Sequence, residues 1–179
     1  MSLTAIAVAA GVVVLIFWVI GAYNRLIAMR NAILAAWLKV QEALEQRSPA
    51  LAPLLSALRG SMSAEQGALD AWLIAQTQAA QAASTMGQQP LAATAAQGWA
   101  ASEASLEAAA NRVLALLEQQ SELALESAPL VAAWRERQAR LPFVRQVFNE
   151  EAGTYNDALA VFPTNLVVRA FGLGPAPLV

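Results

Sequence analysis

From Leu3 to Ala22 the chain reads LTAIAVAAGVVVLIFWVIGA, without one charged residue. A helix of about 20 residues rises ~30 Å, the thickness of the hydrocarbon core of a bilayer. The run is apolar on every side. A chain of 179 residues rarely encloses such a helix in its own core. Phe17 and Trp18 lie near the end of the run and Tyr23 just past it, where amphipathic rings favour the membrane interface. A cleaved signal peptide is the rival reading. It needs a basic leader and a small-x-small cleavage site, and only Met1 and Ser2 precede the run. Residues 1–22 are therefore read as a transmembrane anchor. No Lys or Arg precedes it, whereas Arg25, Arg30 and Lys39 follow it closely. The positive-inside rule then puts the C-terminal side in the cytoplasm and a very short N-terminus outside.

Beyond the anchor, hydrophobic residues recur at alternating steps of four and three. Leu26, Ile33, Trp37, Val40, Leu44, Leu51, Leu54 and Leu58 form one stripe, with Arg30 and Arg47 on the same line. This is the heptad spacing of packed helices. No Pro lies between Ala22 and Ser48, so the helix is expected to leave the membrane unbroken. Pro49 and Pro53 are expected to kink or restart it, and Gly60 to stop it. Ser63 with Gln66 reads as a capping box opening a second helix through Leu69, Trp72, Leu73 and Gln76 to about Ala83. Ser84 to Pro90 has turn composition. A third helix is expected over residues 91–126, with Leu106, Ala109, Val113, Leu116, Gln120 and Leu123 on its stripe and Gln120 as a register or edge residue. Ser127 and Pro129 then read as an N-cap and a first-turn proline. A fourth helix would follow, kinked at Pro142 and ended at Phe162-Pro163. No strand alternation is present. The expected fold is all-α: an N-terminal transmembrane helix, then an elongated antiparallel bundle of three to four long helices over residues 23–165, and an apolar C-terminal tail over 166–179.

The composition narrows the chemistry. Hydrophobic residues make up 58% and charged residues 13%, and neither Cys nor His occurs. That removes thiolate nucleophiles, disulfides, histidine triads and the usual zinc and di-iron ligand sets. The net charge of −2 gives no general attraction to nucleic acid. Basic residues prevail in 23–59, where anionic headgroups would lie, and acidic ones in 60–127. Glu103/Glu107 and Glu118/Glu122 are spaced for one helix face, which reads first as a solvated surface. The serines lack a base, and the tryptophans sit on stripes as packing. An enzyme is not expected, and neither is a cofactor or a metal.

Two stretches resemble the LemA family of bacterial proteins. One is Tyr23 to Arg47, through Tyr23, Asn24, Leu26, Arg30, Asn31, Ala36, Trp37, Leu44 and Arg47. The other is Arg145 to Leu173, through Asn149, Tyr155, Asn156, Phe162, Pro163, Asn165, Leu166, Phe171 and Gly172. The resemblance implies a single membrane helix, a short external N-terminus and a cytoplasmic bundle of long helices at the bacterial inner membrane. It implies no enzymatic activity. It suggests an accessory or scaffold role through protein contacts in envelope processes. The expected partners are the lipid bilayer and an unidentified membrane protein, a membrane protease being one kind the resemblance suggests; self-association is compatible with the sequence. The alternative is a membrane-surface protein that binds or remodels lipid. The structural or partner-docking candidates are Asn24, Arg30, Trp37, Tyr155, Asn156, Phe162, Pro163 and Asn165. Tyr155, Leu159 and Phe162 share a helical face and are expected to be buried, so Phe162→Ala would cost ~3–5 kcal/mol. Thr164 or Asn165 would cap the next short turn. The tail residues Leu166, Val167 and Phe171 are expected to fold back onto the bundle end; the alternative for Asn165 and the tail is partner docking.

Overall fold

The computed structural model describes residues 2–179; Met1, the first residue of the expected anchor, lies outside the described residues. It consists of helices and their connections, with no strand among the described residues. Helix α1 (Leu3–Ser61) runs 59 residues, ~88 Å at 1.5 Å per residue. Ser2 caps it, its hydroxyl accepting from the Ala5 N–H at 3.3 Å. From Leu3 to Phe17 every residue is exposed. Burial begins at Trp18 and Val19, and the first fully buried residue is Leu26. From there the expected stripe is the buried one: Leu26, Ile33, Trp37, Val40, Leu51, Leu54 and Leu58 are covered, and Leu44 is partly covered.

Pro49 and Pro53 neither restart nor end α1. Both face solvent, one turn apart. The carbonyls that lose an N–H partner therefore meet water, while the buried face keeps its register. A single 3-10 turn (Ser63–Glu65) leads into α2 (Gln66–Gln88). The expected capping box does not form. The Gln66 side chain points back instead, donating to the carbonyls of Arg59 (2.9 Å) and Met62 (3.0 Å) and closing the end of α1. Nor does α2 end at Ala83. It runs through the supposed turn to Gln88, because Met86 is buried and Gly87 lies against α1. A Cβ at Gly87 would meet Gln41 Nε2 at 2.7 Å and Trp37 Nε1 at 3.3 Å, so the glycine serves a close helix crossing rather than a turn.

The second half departs further from expectation. The two helices read over 91–126 and 130–162 are three: α3 (Ala93–Glu118), α4 (Ser121–Gln138) and α5 (Leu141–Ala160). The chain reverses at Gln119-Gln120, where the apolar stripe of α1 also ends, and Gln120 sits in that turn 3.5 Å from Glu65 rather than on a core stripe. Ser127 is no N-cap. It is buried inside α4, and Pro129 also lies within that helix. Pro142 does not kink a continuous helix. It stands in the first turn of α5, where its missing N–H breaks no bond. Helices α4 and α5 together return along α1, α4 at the far end and α5 near the apolar run. A short α6 (Thr164–Phe171) and an extended tail complete the chain.

The bundle holds two apolar clusters. The proximal one joins Leu26 to Val40 with the end of α2, the start of α3, α5, Val167 and Ala176. Trp37 is its centre, edge-on to Trp99 at 5.0 Å and to Phe148 at 5.9 Å. The distal cluster joins Leu51 to Met62 with α2, α3 and α4 around an edge-on Trp72–Trp134 pair at 5.1 Å.

Candidate functional site

Between the clusters lies a buried ion pair. Arg47 is 2% exposed and Glu103 6%. The guanidinium donates to both carboxylate oxygens, at 2.6 and 2.9 Å, and to Gln138 Oε1 at 3.2 Å. One side chain from each of α1, α3 and α4 therefore meets at a single point. Glu103 is not on a solvated face as its spacing with Glu107 suggested. Beside this pair, α3 parts from the α4–α5 junction and leaves a cleft of about 500 Å³ lined by Glu103, Glu107, Trp134, Gln138 and Arg145. Arg145 also sits 5.2 Å over the Trp99 ring, a cation–π contact. Among the described residues no group of three or more acidic side chains converges on a point that could hold a metal ion.

The second feature is at the proximal end, where the chain folds back on itself. Helix α6 ends at Gly172, whose φ of +64° is left-handed and free of strain only for glycine. The Leu173 N–H then reaches the Val168 carbonyl at 3.1 Å and the chain turns back. The tail passes along α5 and is held by two asparagines. The Asn156 amide donates to the Ala176 carbonyl (2.9 Å) and accepts from the Ala176 N–H (2.8 Å). Asn149 does the same to Val179, at 2.7 and 2.8 Å. The spacing explains the fit. Seven residues of helix rise ~10.5 Å, and three residues of extended chain span ~10 Å. Each amide has the donor–acceptor pair of a backbone group, so the two act as a fixed strand edge. Just before the clamped segment, the Tyr155 hydroxyl donates to the Gly174 carbonyl at 3.1 Å. Burial raises the Tyr155 pKa above its ordinary value, partly offset by the Arg30 charge.

The residues singled out from sequence thus divide. Arg30, Tyr155 and Asn156 gather at the tail clamp, with Trp37 in the core beneath. Asn24 is exposed on α1. Phe162, Pro163 and Asn165 form the corner between α5 and α6, and here expectation fails. Phe162 is 74% exposed, because α5 stops at Ala160 and the chain bends before the phenyl ring can join the face of Tyr155 and Leu159. Pro163 occupies the cap position of α6, and neither Thr164 nor Asn165 caps it. The Asn165 N–H bonds the Val161 carbonyl at 3.0 Å, while its Oδ1 is buried without a partner. Of the tail residues, Val167 is buried, whereas Leu166 and Phe171 are more than half exposed. Phe171 rests on Tyr23, with ring centroids 4.8 Å apart.

Arg47, Glu103, Gln138 and Asn149 were not candidates. An arginine on an apolar stripe signalled a buried partner without naming it, and the seven-residue spacing of Asn149 and Asn156 was the sign of the clamp.

These features define an all-helical bundle protein with an uncovered apolar N-terminal helix and a clamped C-terminal tail. The LemA family model matches residues 36–179, most of the chain, and the chain belongs to the LemA family. No curated protein and no solved structure gives a match.

Proposed function

We propose that the chain is a single-pass, membrane-anchored helical scaffold or adaptor of the bacterial inner membrane, acting through protein–protein contacts and not as an enzyme. The observation that carries the reading is the first quarter of α1. Leu3 to Phe17 is apolar, helical and wholly uncovered, yet continuous with the helix on which the bundle is built. In water such a surface would drive aggregation; in lipid it is solvated. The adaptor half of the reading is supported by apolar side chains that the bundle leaves outside, Leu34 and Leu38 one turn apart on α1 and Leu73 and Ile74 on α2. The absence of His and Cys, and the use of the buried Glu103 to satisfy Arg47, weigh against catalysis.

Two measurements test it. Carbonate washing leaves the full-length chain in the membrane pellet; release into the supernatant refutes the anchor. Orientation is read with an impermeant thiol reagent on Leu125→Cys, an exposed site in a chain with no cysteine of its own. Protection in intact cells and labelling after lysis fit a cytoplasmic bundle, and labelling in intact cells puts it on the opposite side.

A further inference from the structure

The bundle begins too early along α1. Only Leu3 to Phe17 is free of it, about 15 residues or ~22 Å of helix, against the ~30 Å of a hydrocarbon core. Trp18, Val19, Ala22 and Tyr23 already pack against the proximal cluster. The elements that meet α1 here are the end of α5 and the corner beyond it. Ala158, Val161 and Thr164 face Trp18, Gly21, Ala22 and Arg25 across a cavity of about 370 Å³, and Phe171 covers Tyr23. Around this junction the chain exposes Val161, Phe162, Leu166 and Phe171, each more than half uncovered. Arg25 and Arg169 are exposed on the same end. A water-soluble corner has no reason to present four large apolar side chains within eleven residues, whereas a corner level with the last turn of a membrane span does.

We propose that the α5–α6 corner is a second membrane contact. Val161, Phe162, Leu166 and Phe171 enter the interfacial layer of the leaflet from which α1 emerges, and Arg25 and Arg169 reach its anionic headgroups. The corner supplies the apolar depth that α1 lacks. It also fixes the bundle at a set height on the bilayer, because a rod held at two points cannot swing about one helix. This inference rests on the membrane-anchor reading above, and the experiment separates the two.

Single cysteines are placed in the full-length chain at Phe162→Cys, Leu166→Cys, Ile16→Cys and Leu125→Cys, and labelled with an environment-sensitive fluorophore. The proteins are reconstituted into phosphatidylcholine–phosphatidylglycerol vesicles carrying nitroxide lipids labelled either near the headgroup or deep in the acyl chain. The expected result is that the labels at 162 and 166 lose most of their emission to the shallow quencher. The label at 16, on the free helix, is quenched as well, and the label at 125 by neither quencher. If 16 is quenched while 162 and 166 behave like 125, the anchor stands and the second contact is overturned. A blue-shifted label at 162 without lipid quenching means that protein covers the corner, which also overturns it. If 16 itself is not quenched, the anchor reading fails and this proposal falls with it.

Discussion

At Arg47 a single side chain settles how two halves of the bundle meet. Its charge is balanced by Glu103, and both groups are buried between the two apolar clusters. Sliding α3 along α1 by one turn would leave two unpaired charges in the core, so the pair acts as a register pin. Removing one partner of such a buried pair costs ~3–5 kcal/mol, whereas replacing both with apolar groups of similar volume is near neutral. Urea unfolding of the detergent-solubilised chain should therefore rank Arg47→Met well below wild type and Arg47→Met/Glu103→Leu close to it. The exposed pairs Arg59–Asp70 and Arg135–Glu118 should contribute little by the same measurement. Phe162 is the opposite case. Its ring lies outside, so Phe162→Ala should change unfolding by no more than ~0.5 kcal/mol, while Phe148→Ala, wholly buried, should cost ~3–5 kcal/mol. Tyr155 carries a pH dependence. Its pKa is raised in the folded state, so the folded chain holds the phenol proton more tightly than the unfolded one. Its contribution is complete below the ordinary tyrosine value of ~10 and is lost as pH climbs through the raised value. Thermal melts from pH 9 upward should show this alkaline fall, and Tyr155→Phe should flatten it.

The element that sequence patterning describes least well is the tail. Its apolar residues suggest that it folds back onto the bundle end, and Val167 and Ala176 do so, but hydrophobicity says nothing of the four hydrogen bonds from two asparagines that zip it to α5. Asn156→Ala leaves the Ala176 N–H and carbonyl, which are partly buried, without partners, at a cost of ~1–3 kcal/mol. Hydrogen exchange should then accelerate at the amides of Ala176 and Val179, with little change in α2 or α3. Equal exchange in variant and wild type would mean that packing of Ala176, not the clamp, holds the tail. The departures at Gly87 and Pro142 have a common physical cause. Gly87 and Pro142 are residues whose local preference is compatible with more than one use. Contact with Trp37 keeps Gly87 inside a helix, and the turn at Ala139-Arg140 lets Pro142 open one. The reversal at Gln119-Gln120 had no local signal, since nothing there breaks a helix. It falls where α1 and its cover run out, and a longer α3 would project into water with its apolar stripe bare.

For the whole molecule, the separation of the uncovered apolar helix from the bundle is the main consequence. Residues 3–17 are exposed throughout and belong to neither apolar cluster. Deleting them should leave the unfolding free energy of the bundle within ~0.5 kcal/mol of the full-length value in the same detergent, while abolishing carbonate-resistant sedimentation with membranes. A large loss of stability would show that the apolar helix also supports the fold. Features that depend on neighbours along the chain are legible in the amino-acid order. The uncharged run at the N-terminus, the heptad stripe from Leu26 to Leu58 and the helical class follow from hydrophobicity read at a period of 3.6 residues, and the two motif stretches point to the family. Other features depend on lengths and on partners far away in the chain, and they emerge only when the helices pack. These are the break into α3, α4 and α5, the pairing of Arg47 with Glu103 across 56 positions, the return of the tail to Asn149 and Asn156, and the exposure of Phe162. A helical period says which face of an element is apolar. It does not say where a facing helix stops, and it is at those stops, where apolar cover ends and polar groups must find partners, that this chain turns, pairs its buried charge and leaves its corner bare.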